Sequence, residues 1–99
     1  MVLERAIIDV KPGSEPAFEA AIEQAKRVIA QAAGFRSLTL RRGIERSSTY
    51  LLLVEWDTLD DHIQGFRESE LFGRWRELIG PHFASAPEVE HFGEPVATL

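Results

Sequence analysis

Apolar residues crowd the first ten positions in a β-branched run, VLERAIIDV, which predicts a strand over Val2–Val10, closed by the turn-forming Lys11-Pro12-Gly13. The period then changes to three and four. Phe18, Ala21, Ile22, Ala25, Ile29 and Ala32 share one helical face, and Glu19, Glu23, Lys26 and Arg27 occupy the other. Ser14 is the expected N-cap, Glu15 and Pro16 suit the first turn, and Gly34 ends the helix. Alternation returns in Phe35–Gly43, where Leu38 and Leu40 oppose Ser37, Thr39 and Arg41. A polar connection, Glu45-Arg46-Ser47-Ser48, has hairpin length. The strand after it, Thr49–Trp56, carries Tyr50, Leu52, Val54 and Trp56 on one face and Leu51 and Leu53 on the other.

The second half repeats the plan. Thr58 caps a helix, with Asp61 three residues on as the acidic half of a capping-box-like pair. Leu59, His62, Ile63 and Phe66 lie along one face; Gly65 and Glu68-Ser69 predict a kink or a second start capped by Ser69. Leu71, Phe72, Trp75, Leu78 and Ile79 continue the apolar stripe as core residues, and Gly80-Pro81 ends it. The linker His82–Pro87 leads to a last strand at Glu88–Gly93, and Glu94–Leu99 is expected to be a loose tail. The order β-α-β-β-α-β predicts an α+β, ferredoxin-like fold: an antiparallel four-stranded sheet with two helices on one face. Both faces of Thr49–Trp56 are apolar, yet the helices can cover only one. A homodimer closed through the open sheet face is therefore expected.

Composition narrows the function classes. Ninety-nine residues make a single domain, 1–99, small enough that burial in an oligomer would add to its stability. A formal charge of −5 without a Lys/Arg cluster argues against nucleic acid and against anionic membrane surfaces. The absence of cysteine removes disulfides, thiolate metal sites and cysteine nucleophiles. Residues 1–10 lack the basic start and apolar run of a signal peptide, and no window reaches the roughly 18 apolar residues of a membrane span. A cytoplasmic protein is expected.

The junction Val54-Glu55-Trp56-Asp57-Thr58-Leu59-Asp60-Asp61-His62 and the closing Pro87-Glu88-Val89-Glu90-His91-Phe92, set in this order of elements, resemble the antibiotic biosynthesis monooxygenase (ABM) domain family of dimeric α+β barrels. The resemblance spans about Val2 to Phe92. It implies a homodimer whose two sheets face each other, with a pocket in each protomer between sheet and helices. Members similar to this chain include cofactor-free oxygenases of polycyclic phenols, haem-degrading enzymes and proteins handling small quinones. The haem-degrading pattern also uses an asparagine in the first strand, and this chain has no asparagine.

Within that resemblance, His62 is the candidate catalytic residue, since a neutral imidazole beside an apolar stripe can remove a phenolic proton. The alternative is a helix-edge histidine bonded to a backbone carbonyl or to Asp57, Thr58 or Asp61. Trp56, Phe66 and Trp75 are candidate substrate-binding walls for an aromatic molecule, as well as ordinary core side chains. Arg5, or Arg67, can hold an anionic group or form a surface or dimer-rim ion pair. His62, His82 and His91 lack ligand spacing such as His-x-x-x-His, so no metal is expected. No phosphate loop or nucleophile elbow is present. The expected activity is cofactor-independent oxidation of a phenol or hydroquinone-like small molecule. The alternatives are a non-catalytic binding or stress-response dimer, and an isomerase or decarboxylase of a polyketide-like acid.

Overall fold

The computed structural model describes residues 1–99. Strand β1 (Val2–Asp9) is followed by helix α1 (Glu15–Ile29), strands β2 (Phe35–Arg42) and β3 (Thr49–Trp56), helix α2 (Glu70–Ile79) and strand β4 (Glu88–Phe92). The strands form one antiparallel sheet in the order β2-β3-β1-β4, the ferredoxin-like arrangement. No helix is long and apolar enough to cross a membrane.

Register decides which residues face the helices. Glu4, Ala6 and Ile8 of β1 pair with Val54, Leu52 and Tyr50 of β3, and all six are buried on the helix side. Leu38 and Leu40 continue that face into β2, as His91 and Val89 do into β4. Phe18, Ile22, Ala25 and Ile29 of α1, with Trp75 and Ile79 of α2, close the core over it. Burying a large apolar side chain contributes about 1.5–3 kcal/mol, so Trp56, Tyr50, Phe18 and Phe66 dominate the packing energy.

Several local expectations change. Helix α1 stops at Ile29, so Ala32 lies in the turns that follow, and Gly34 ends them at φ 81°. Ser14 makes no side-chain cap; the Glu15 carboxylate instead accepts from the Gly13 N–H and the Ser48 hydroxyl. The helix predicted from Thr58 does start there. Asp61 N–H donates to Thr58 Oγ1 at 3.1 Å and Thr58 N–H to Asp61 Oδ2 at 3.1 Å, a reciprocal capping box. It then widens into a π-turn over Asp61–Phe66, sealed by the Arg67 N–H on the His62 carbonyl at 3.0 Å. The wider turn breaks the three-four stripe: His62 and Phe66 face inward, whereas Leu59 is exposed rather than core. Ser69 restarts the chain as α2, but its hydroxyl donates back to the Phe66 carbonyl.

Candidate active site

The π-turn delivers His62 to the sheet. Two changes of direction make that possible. Gly34, at positive φ, accepts the Asp57 N–H at 2.8 Å and lies so close to Asp61 that any Cβ would overlap the carboxylate. The capping box then fixes the first helical turn above the end of β3. His62 consequently stacks on Trp56, with ring centroids 5.2 Å apart and planes 17° from parallel. It is 4% exposed.

None of the helix-cap residues Asp57, Thr58 and Asp61 is its partner. His62 Nδ1 lies 2.7 Å from His91 Nε2 on β4, and its Nε2 lies 3.3 Å from Glu4 Oε1 on β1. The Trp56 indole N–H donates to the same Glu4 oxygen at 3.0 Å. Three strands and the π-turn thus converge on one polar cluster: Glu4, Trp56, His62 and His91. Burial raises the Glu4 carboxyl above its usual range, partly countered by the Trp56 hydrogen bond and the Arg67 charge. Burial also lowers His62 to about 4, with His91 and Arg67 adding to the effect. His91 is lowered by burial and by Arg67. Both imidazoles are neutral at pH 7.

Beside the cluster a cleft of about 770 Å³ opens between the sheet and α2. Glu4 and His62 reach its wall; Phe66, Phe72 and Trp75 give it aromatic surface; Arg67 and Arg76 stand over the Phe72 ring at 5.9 and 5.8 Å. Of the candidates named from sequence, His62, Phe66, Arg67 and Trp75 therefore share this cleft. Trp56 is fully buried behind His62 and does not line it. Arg5 is on the opposite sheet face, paired with Glu90 of β4. His82 lies away from the other two histidines, against Phe18. Glu4, His62 and His91 do not converge as metal ligands, because different nitrogens of His62 face its two partners.

Glu4 carried no signal in the sequence as a site residue. Its β1 run is apolar at both parities, Leu3 and Ile7 on one side and Ala6 and Ile8 on the other, so periodicity does not orient it. Pairing with Val54 does. His91 is legible only once β4 is placed beside β1, opposite Glu4.

The sequence profile described as antibiotic biosynthesis monooxygenase matches residues 1–78. The chain is 41% identical over 92 residues to the uncharacterised protein YczJ of Bacillus subtilis, covering 93% of this chain and 97% of that one. A crystal structure from Bordetella bronchiseptica that carries the same family's name superposes with a TM-score of 0.93 at 40% identity, over 96% of this chain and 97% of that one. SnoaB of Streptomyces nogalater, described as a cofactor-independent oxygenase, shares the fold at 18% identity with a TM-score of 0.79, over 99% and 95% of the two chains. Profile, sequence relative and architecture agree: the chain belongs to the antibiotic biosynthesis monooxygenase family.

Proposed function

We propose that this protein is a cofactor-independent monooxygenase that oxidises a phenol or hydroquinone-like molecule in the cleft between sheet and helices, with His62 at the centre of its proton handling. One observation carries this reading. A buried, neutral imidazole at the wall of an aromatic cleft has a carboxyl group and a second imidazole as partners, not its own helix cap. Family membership and the oxygenase named among the fold relatives support the reaction class.

In this reading the redox work lies in the substrate. Loss of the phenolic proton makes an electron-rich anion that reduces dioxygen. The carbon–oxygen bond then forms, and water leaves, so that a phenol plus O₂ gives a quinone plus H₂O. Four electrons leave the ring and four enter dioxygen. The protein supplies an aromatic cleft, a proton acceptor and positive charge from Arg67 near the developing anion. Metal-free protein should take up one O₂ per quinone formed in an oxygen electrode screen of hydroquinones and phenols. Folded His62→Ala should lose on the order of 10²-fold in kcat. Silence across that screen, or an undiminished variant, would sink the reading.

The open sheet face supports a homodimer as the working form. Leu3, Ile7, Leu51 and Leu53 lie there in one half-buried patch, and Arg5 Nε is buried without a hydrogen-bond partner. The chain is a slab of 37 × 36 × 20 Å exposing 6282 Å², against about 5,700 Å² expected for a compact monomer of this mass. A facing sheet from a second copy would cover the excess and offer Arg5 an acceptor.

A further inference from the structure

We propose that Glu4 is the catalytic group that takes the substrate's proton, an assignment that rests on the cleft being a phenol site. His62 lines the cleft, but each of its ring nitrogens already has a partner within contact distance. Glu4 differs. Its Oε1 receives the Trp56 N–H and faces His62 Nε2, while Oε2 has no hydrogen bond from the protein. The cleft's other carboxylate, Glu77, is exposed on α2, away from the indole and the imidazoles.

The neighbours explain how a buried carboxylate can serve as a base. In the tautomer this assignment uses, His91 Nε2–H donates to His62 Nδ1 and His62 carries its single proton on Nε2, 3.3 Å from Glu4 Oε1. The Trp56 N–H on Oε1 and the Arg67 charge then favour the ionised form against the cost of burial. The free Oε2 accepts the phenolic proton: the substrate O–H breaks, the carboxyl O–H forms, and the negative charge moves to the aromatic oxygen. After dioxygen adds to the ring carbon as a peroxide anion, the O–O and ring C–H bonds break to leave the quinone, and the outer oxygen departs as water with the proton returned by Glu4 and the one from the ring carbon, so no net proton is released. A carboxyl raised by burial above its usual range suits both transfers.

The test uses 4-nitrophenolate as probe, by titration calorimetry in buffers of different ionisation enthalpy, above the pH at which the free dye is ionised. Wild type should take up about one proton per dye bound, because a phenolate beside an ionised carboxylate is strongly disfavoured until Glu4 is protonated. Glu4→Gln keeps the oxygen that accepts from Trp56 and should bind with essentially no uptake. 4-Nitroanisole, which lacks the acidic group, should show none with either protein. The ¹³C carboxyl signal of Glu4 in wild type should move to its protonated position on adding the dye, a readout that needs no variant. On any hydroquinone that wild type turns over, Glu4→Gln should lose on the order of 10²-fold in kcat. Equal proton uptake in wild type and Glu4→Gln, or an unmoved Glu4 signal with dye bound, would overturn the assignment while leaving the oxygenase reading intact. No oxygen uptake with any hydroquinone would overturn that reading instead, with proton uptake still deciding Glu4. A wild type that binds no phenolate overturns both.

Discussion

Mild acid should destabilise this protein in a window set by the cluster itself. His62 is ordinary in the unfolded chain, near 6.5, and is lowered to about 4 when folded. Between those values the unfolded chain binds a proton that the native state refuses, so stability falls as pH drops through the window and is fully present above it. A shift of that size is worth about 3 kcal/mol, and little is lost to screening, since the His62 side chain is only 5% exposed. His91, also lowered, pulls the same way. Glu4 opposes both. Its folded value is raised, so just above its unfolded value of 4.5 the native state holds the extra proton and gains on acidification. His91 adds to the native state's proton deficit and Glu4 subtracts from it, so His62 sets the window in which stability falls with pH. Urea unfolding from pH 7 to 4.5, followed by tryptophan fluorescence at fixed protein concentration, measures that slope. Glu4→Gln removes the opposing group and should steepen it; His62→Gln should flatten it. A stability that stays level from pH 7 to 4.5 in wild type, or the same slope in all three proteins, would refute the assignment of these shifts to a buried cluster.

Other outcomes follow from single contacts. Gly34→Ala forces a side chain into positive φ and onto Asp61, and should cost about 2 kcal/mol or more in chemical denaturation, where a loss under 0.5 would contradict the packing seen at this junction. Asp61→Ala removes the carboxylate half of the capping box while leaving its backbone N–H on Thr58 Oγ1, and should cost about 1 kcal/mol, with loss of protection from hydrogen exchange concentrated at Thr58–Phe66. Trp56→Phe takes an N–H from buried Glu4 and should raise the Glu4 carboxyl further in a ¹³C titration, since the remaining causes of its shift are burial and the Arg67 charge. Leu53→Lys puts a charge in the middle of the open sheet face; for the proposed sheet-to-sheet dimer, light scattering should report a dimer for wild type and a monomer for the variant at the same concentration, and equal masses would refute closure through this face.

The architecture was legible because each element announces itself by period. Two-residue alternation in β2, the three-four stripe of α1 and the glycines after it determine the order, and that order in turn determines the sheet. Leu59 shows where periodicity failed. A three-four count assumes 3.6 residues per turn, and a π-turn carries more, so the same spacing rotates Leu59 out to solvent while His62 and Phe66 stay inside. Arg5 shows a second limit. As an isolated arginine in an apolar strand it was equally compatible with either face, and only the pairing of β1 with β3 and β4 puts it on the face away from the cleft.

Glu4 and His62 are the only polar residues among the 17 buried ones, and they touch each other. A small domain of marginal stability gains nothing by placing a carboxyl and an imidazole where a leucine pair would pack. If the cleft only had to hold a flat aromatic molecule, Phe66, Phe72 and Trp75 would do so without them. The neighbours also do more than neutralise the pair. Trp56 presents its one polar atom to Glu4, and His91 reaches from an edge strand to engage the far nitrogen of His62. Three strands and a π-turn thus hold one ring in one orientation. That arrangement is costly for mere binding and suited to a group that must move a proton at a fixed point in the cleft.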